Sequence, residues 1–208
     1  TPQRIGVWQP GVEAAHLIGA LAEAGFALTL AAADAEALAP VLTEVARLQA
    51  AAEDSGRLSA PEHAAAWERL EAGIDPAALT GCGLVLAPAD SAARLRPDLA
   101  LDCQLVVLGA PPEAMDDCAA LLLPAPGLAE VTPGAATAPE AIATVLAVLQ
   151  GARQICLRAG AGRGGITARL WVRLQAAAER VVLAGATPAQ VDAALTGLGL
   201  AEPPFRRA

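Results

Sequence analysis

The stretch Val7 to Phe26, VWQPGVEAAHLIGALAEAGF, constrains the fold more than any other part of the chain. An aliphatic run from Arg4 to Trp8 predicts a strand, about Val12 to Ala24 has the apolar spacing of a helix, and Ala27 to Ala31 is a second short strand. Two strands joined through a helix pair in parallel, with the helix packed against the sheet. The chain is therefore expected to be α/β, with a doubly wound, mainly parallel sheet.

The remaining segments extend this pattern. Ala35 to about Glu53 carries leucine and valine at helical spacing, and Ala60 to Glu71 reads as a further helix with Ser59 as its N-cap. Asp75 to Leu79 is a short helical turn, and Gly83 to Ala87 is a buried strand ended by Pro88. Gln104 to Leu108, Ala120 to Leu123 and Gln154 to Leu157 are short apolar runs bounded by Gly and Pro, while Pro139 to Leu149 reads as a helix. Beyond "GAGRGG" the chain is expected to be all helical. Ile166 to Ala184 forms one helix, and Thr187 caps another with Pro188 at its first position. The expected division is an α/β domain over 1–162 and a helical segment over 163–208.

Composition excludes several classes. All 14 basic residues are arginine against 22 acidic ones, a net charge of −8, and no basic stripe with interleaved aromatics suggests nucleic acid. No apolar run reaches the roughly 18 residues that cross a bilayer, so no membrane partner is expected. Thr1-Pro2-Gln3-Arg4 leads directly into a strand without the pattern of a secretory signal, which makes the cytoplasm the expected compartment. Cys82, Cys103, Cys118 and Cys156 show no CxxC spacing and read as core thiols. His16 and His63 each fall in a helical segment as surface or half-buried residues, and no metal site is expected.

Three further stretches carry a resemblance. "GRLS" (Gly56 to Ser59), "AEVTPGAATAPEAI" (Ala129 to Ile142) and "GATPAQVDAAL" (Gly185 to Leu195) occur in an order that resembles the 3-hydroxyacyl-CoA dehydrogenases of fatty-acid β-oxidation. The resemblance implies a Rossmann-like domain, NAD as cofactor and an acyl-CoA substrate. It also implies a C-terminal domain that continues beyond "PPFRRA".

Residue by residue, the cofactor motif departs from the family's GxGxxG, whose three glycine positions fall on Gln9, Gly11 and Ala14. Gly11 and Ala14 are the retained cofactor-binding positions. Pro10 removes an N–H from the turn. Glu13 either faces the phosphate site or favours the helix N-terminus; facing it, two charges about 5 Å apart would repel by roughly 3 kcal/mol. The family's ribose-binding acid falls on Ala32; Asp34, two residues on, either substitutes for it or caps the next helix.

The family's catalytic base is a histidine in "HFF[NS]P", oriented by the glutamate of its "EVV" segment. Glu130 matches the glutamate and reads as a carboxylate at a strand end, whereas the histidine position falls on Cys118 or, with a different alignment, on Ala120. The asparagine falls on Ala168 beside Arg169, and the serine near Pro111. Gly160 to Gly165 also satisfies GxGxxG, with Arg158 and Arg163 beside it, and reads as a linker or as a phosphate or CoA contact.

Losing a positioned base costs about 10² to 10⁴ in rate. The leading expectation is a catalytically inactive dehydrogenase-like protein without a cofactor, retained as a partner-binding or acyl-CoA-type ligand-binding subunit. The alternative is an active NAD-dependent dehydrogenase with altered site residues. A third reading is an assembly module whose C-terminal helices join a partner chain or a second copy.

Overall fold

The computed structural model describes residues 2–109, 116–160 and 165–206. Its chain contacts divide into two compact units, 1–165 and 166–208. The first unit holds an eight-stranded sheet in the order β3-β2-β1-β4-β5-β6-β7-β8. These strands are Arg4–Trp8 (β1), Ala27–Ala31 (β2), Leu70–Gly73 (β3), Leu84–Pro88 (β4), Gln104–Leu108 (β5), Ala119–Ala125 (β6), Leu128–Pro133 (β7) and Ile155–Arg158 (β8). All neighbouring pairs are parallel except β6 with β7. The α/β, Rossmann-like, mainly parallel sheet expected from the sequence is what forms.

Helices cover both faces. Ala15–Glu23 (α1), Ala35–Asp54 (α2), Ala60–Trp67 (α3) and Pro139–Gly151 (α5) supply one core, and Ala89–Leu95 (α4) with short 3₁₀ turns supplies the other. Each central strand divides its side chains between them: Ile5 and Val7, or Leu84 and Leu86, enter the first core, while Trp8, Val85 and Ala87 enter the second. Gly6 lies against Leu79 and Val85 so closely that a Cβ would collide with them.

Several element ends differ from the sequence reading. Residues 12–14 form a 3₁₀ turn, and the α-helix begins only at Ala15. The helix expected to reach Glu71 stops at Trp67, because Leu70–Gly73 pairs with β2 and extends the sheet. Local spacing favoured a helix there, and the open edge of β2 decided otherwise. Helix α4 was not anticipated, and β7 only as a strand end at Glu130.

Caps follow the sequence more closely. Ser59 and Glu62 form a capping box, with the Ser59 N–H donating to the Glu62 carboxylate at 2.9 Å. His63 is held at 2.6 Å from the Glu53 carboxylate and accepts a hydrogen bond from the Trp67 indole at 2.9 Å, which ties α3 to α2. His16 is exposed. Cys82, Cys103 and Cys118 are buried and Cys156 is half-buried, all as free thiols.

The second unit contains most of Gly165–Leu183 (α6) and Pro188–Gly197 (α7). Thr187 and Gln190 form a second capping box at the start of α7. Among the described residues no helix is long and apolar enough to cross a membrane, and no group of three or more His, Cys, Asp or Glu is placed to hold a metal ion.

The first core predicts a clear contrast in stability. Leu21→Ala, at 1% exposure, should lower unfolding free energy by about 2–5 kcal/mol, whereas Leu101→Ala, which is fully exposed, should change it by less than about 0.5 kcal/mol. Urea unfolding followed by circular dichroism checks both.

Candidate functional site

Strand order locates the site. From β1 the chain proceeds outward to β2 and β3 on one side, and later to β4 and β5 on the other. The connections at the carboxyl ends of β1 and β4 therefore diverge and leave a crevice, the place where ligands bind in open α/β sheets. A cavity of about 370 Å³ is lined there by Trp8 and Gln9 from the end of β1 and by Asp90, Ser91, Arg94 and Asp98 from α4 and the turn after it. Those last four residues escaped the sequence reading because α4 itself did. The Pro88-Ala89-Asp90-Ser91 junction after a strand was the local signal for it.

The turn after β1 shows what became of the glycine motif. Gln9 stands at the first glycine position with φ 43°, a left-handed conformation that favours glycine, and its N–H donates to the Ala31 carbonyl at 2.7 Å. Gly11 is extended, with φ −80° and ψ 164°. The Glu13 side chain folds back over it, so that a Cβ at Gly11 would collide with the Glu13 carboxylate. Glu13 lies in the turn that opens the helix, with its carboxylate beside Gly11. Ala14 is buried at the start of α1 and makes close helix packing possible, with its N–H donating to the Gly11 carbonyl at 3.0 Å.

Asp34 caps α2 and accepts a hydrogen bond from the Ala37 N–H at 2.8 Å. It follows the carboxyl end of β2, as Gly11 follows that of its neighbour β1, because Trp8 and Ala31 are in register. Ala32 is buried beside it.

Glu130 lies elsewhere. It is not at a strand end but in the middle of β7, fully buried, between Leu122 on β6 and Leu157 on β8. Its carboxylate lies against Gly165, whose φ of 63° and lack of a Cβ leave the room it occupies. Across the hairpin Glu130 faces Leu122, while Ala120 pairs with Thr132 and Cys118 lies beyond the end of that ladder. A two-residue turn joins β6 and β7, and an irregularity between Leu122 and Ala125 shifts the register by one residue.

The Cys118 thiol is raised to about 11 by burial, with the nearby Asp117 carboxylate adding to the rise and Arg96 opposing it. Cys103 is also raised to about 11, chiefly by burial. Ala168 and Arg169 belong to α6, in the second unit. Pro111 and Arg163, with most of the second glycine-rich stretch, lie outside the described residues.

No family model and no curated protein matches the chain by sequence. Solved structures do match. (S)-3-Hydroxybutyryl-CoA dehydrogenase PaaH1 from Ralstonia eutropha superposes with a TM-score of 0.85 at 14% identity, over 98% of this chain and 80% of that one. The fold is that of the 3-hydroxyacyl-CoA dehydrogenases. Similar matches are FadB2 of M. tuberculosis, at 0.85 and 21% identity over 100% and 81% of the two chains, and 3-hydroxybutyryl-CoA dehydrogenase from Escherichia coli, at 0.83 and 22% over 94% and 46%.

The raised thiols set a pH dependence. Both Cys103 and Cys118 bind their protons more tightly when folded than the ordinary thiol value of 9.0 allows. Their contribution to stability is complete below pH 9 and is lost as pH rises toward about 11, because the unfolded state then binds fewer protons. The urea midpoint should fall across that interval in the parent and fall less in a Cys103→Ala/Cys118→Ala variant.

Proposed function

We propose that this chain is a member of the 3-hydroxyacyl-CoA dehydrogenase family that does not itself transfer hydride, and that it serves as a subunit binding an acyl-CoA-type ligand or a protein partner. The observation that supports this reading is the placement of the two histidines: His63 is held between Glu53 and Trp67, and His16 lies exposed on α1. In the family the resemblance implies, a glutamate orients a histidine that removes the substrate's proton, and at the positions that match it here stand Cys118 or Ala120, of which alanine can neither accept nor return one. Cys118 does not replace it, since a thiol raised to about 11 is protonated at neutral pH.

The alternative, an active NAD-dependent dehydrogenase, draws support from the crevice at the carboxyl ends of β1 and β4, which retains an indole and several polar groups. One similar structure is described as an NAD⁺-dependent dismutase, FHMPC 5-dehydrogenase. In this chain Gly11 and Ala14 would pass closest to the dinucleotide pyrophosphate, and Asp34 is the acid nearest in sequence to the ribose position. The carboxylate over Gly11 opposes that fit.

The two readings separate in one experiment. NADH is titrated against the fluorescence of Trp8, and acetoacetyl-CoA-dependent NADH oxidation is then measured. No oxidation above the uncatalysed rate is expected; turnover would establish the active alternative. Glu13→Gly should strengthen NADH binding. Because Glu13 is exposed, solvent reduces the repulsion to about 1–3 kcal/mol, or about 5- to 100-fold in affinity.

Helix α6 exposes Leu170, Val172 and Leu183, and Leu198 is exposed at the end of α7, which supports a role for this segment in joining a partner chain or a second copy. Sedimentation velocity should show an oligomer that weakens on Leu170→Glu/Leu183→Glu. A monomer at every concentration would count against homo-oligomerisation.

A further inference from the structure

Where α2 meets α3, three side chains form a chain of hydrogen bonds away from the crevice. The imidazole of His63, on α3, has Nδ1 at 2.6 Å from a carboxylate oxygen of Glu53, near the end of α2. Its Nε2 lies 2.9 Å from the indole nitrogen of Trp67, one turn further along the same helix. Residues at that spacing share a helix face, so α3 presents both rings side by side.

The outer two groups fix the state of the middle one. An indole N–H only donates, so Nε2 presents its lone pair; a carboxylate only accepts, so Nδ1 carries the proton. His63 is therefore a neutral imidazole in its Nδ1–H form. A second proton has one place to go, and on Nε2 it would set two donors against each other at 2.9 Å. The bond to Trp67 cannot survive that change. The bond to Glu53 can, and becomes a charge-assisted pair that is stronger than before.

Solvent reaches the ring, since the side chains of His63 and Glu53 are 24% and 38% exposed. Trp67 is half-buried, packs against the first core and stands just ahead of the turn into β3. The other charged groups on α3 and the elements around it are engaged elsewhere or exposed. Glu62 accepts from the Ser59 N–H and hydroxyl with the Arg153 charge nearby, Arg57 holds Glu23 of α1, and Arg69 donates to the Ala22 and Ala65 carbonyls. His16 of α1 has the Glu44 carboxylate nearby, while Asp54 and Glu68 are exposed. Glu53 is the charged group in contact with the ring.

We propose that His63 is a proton-operated switch for the Trp67 side chain. Neutral, it holds the indole along the last turn of α3; protonated, it releases the indole and grips Glu53. Acidification thus tightens the junction of α2 with α3 and frees the residue that leads into β3, the strand at one edge of the sheet.

The test follows the full chain, isotopically labelled at nitrogen, by NMR from about pH 8 to about pH 5, the range in which imidazoles gain their proton. At the upper end the ring correlations of His63 should show the Nδ1–H form. On acidification the Trp67 indole N–H resonance should move together with the His63 ring, whereas titration of the exposed His16 should leave that resonance in place. Trp67→Phe removes the donor that opposes protonation and should raise the His63 midpoint by about 0.5 pH unit or more. Glu53→Gln keeps an acceptor for Nδ1–H but removes its charge, and should lower the midpoint by a similar amount. A role in packing alone would displace the midpoint in neither sense. The parent spectra decide without either variant: an Nε2–H form at the upper end, or an indole resonance that stays fixed while His63 titrates, overturns the proposal. A midpoint that both variants leave where it is in the parent overturns it equally.

Discussion

The parallel pairing of β1 with β2 on one side and β4 on the other is the constraint on which the rest of the structure depends. It buries Ile5 and Val7 completely, turns alternate side chains into two separate cores, and sends the connections after β1 and β4 in opposite directions. The crevice follows from that divergence. Its position at the carboxyl ends of the strands is a property of topology, whatever residues line it.

Those residues alter what the architecture can do. A left-handed Gln9, a carboxylate folded over Gly11 and an Asp34 engaged in capping α2 leave the strand, turn and helix intact while changing the surface offered to an anion. An irregularity in β6 between Leu122 and Ala125 brings Leu122 opposite Glu130, and burial combined with Asp117 holds Cys118 protonated at neutral pH. Stability and chemistry are separable here because the cores lie between sheet and helices, whereas the crevice is formed by turns at the strand ends.

Much of this was legible beforehand where the signal was local. Ser59 and Thr187 announce their helices through side chains that satisfy nearby N–H groups, and short, nearly continuous apolar runs in β1, β2 and β4 mark strands buried on both faces. The missed elements lacked such a signal. Leu70–Gly73 continues the helical spacing of α3 and becomes a strand only because β2 presents an unpaired edge. Asp90, Ser91 and Arg94 carry no recognisable motif and meet Trp8 only through the β1–β4 pairing.

By itself the sequence determined the fold class, the sites of the helix caps and the departure from GxGxxG in the turn after β1, because periodicity, capping and backbone freedom are set within a few residues. Tertiary structure alone decided that Glu130 is buried and faces Leu122, that Glu13 lies over Gly11, and which side chains meet Trp8 in the crevice. Each of these depends on register or on packing between elements far apart in the chain, and neither is encoded by any single stretch of residues.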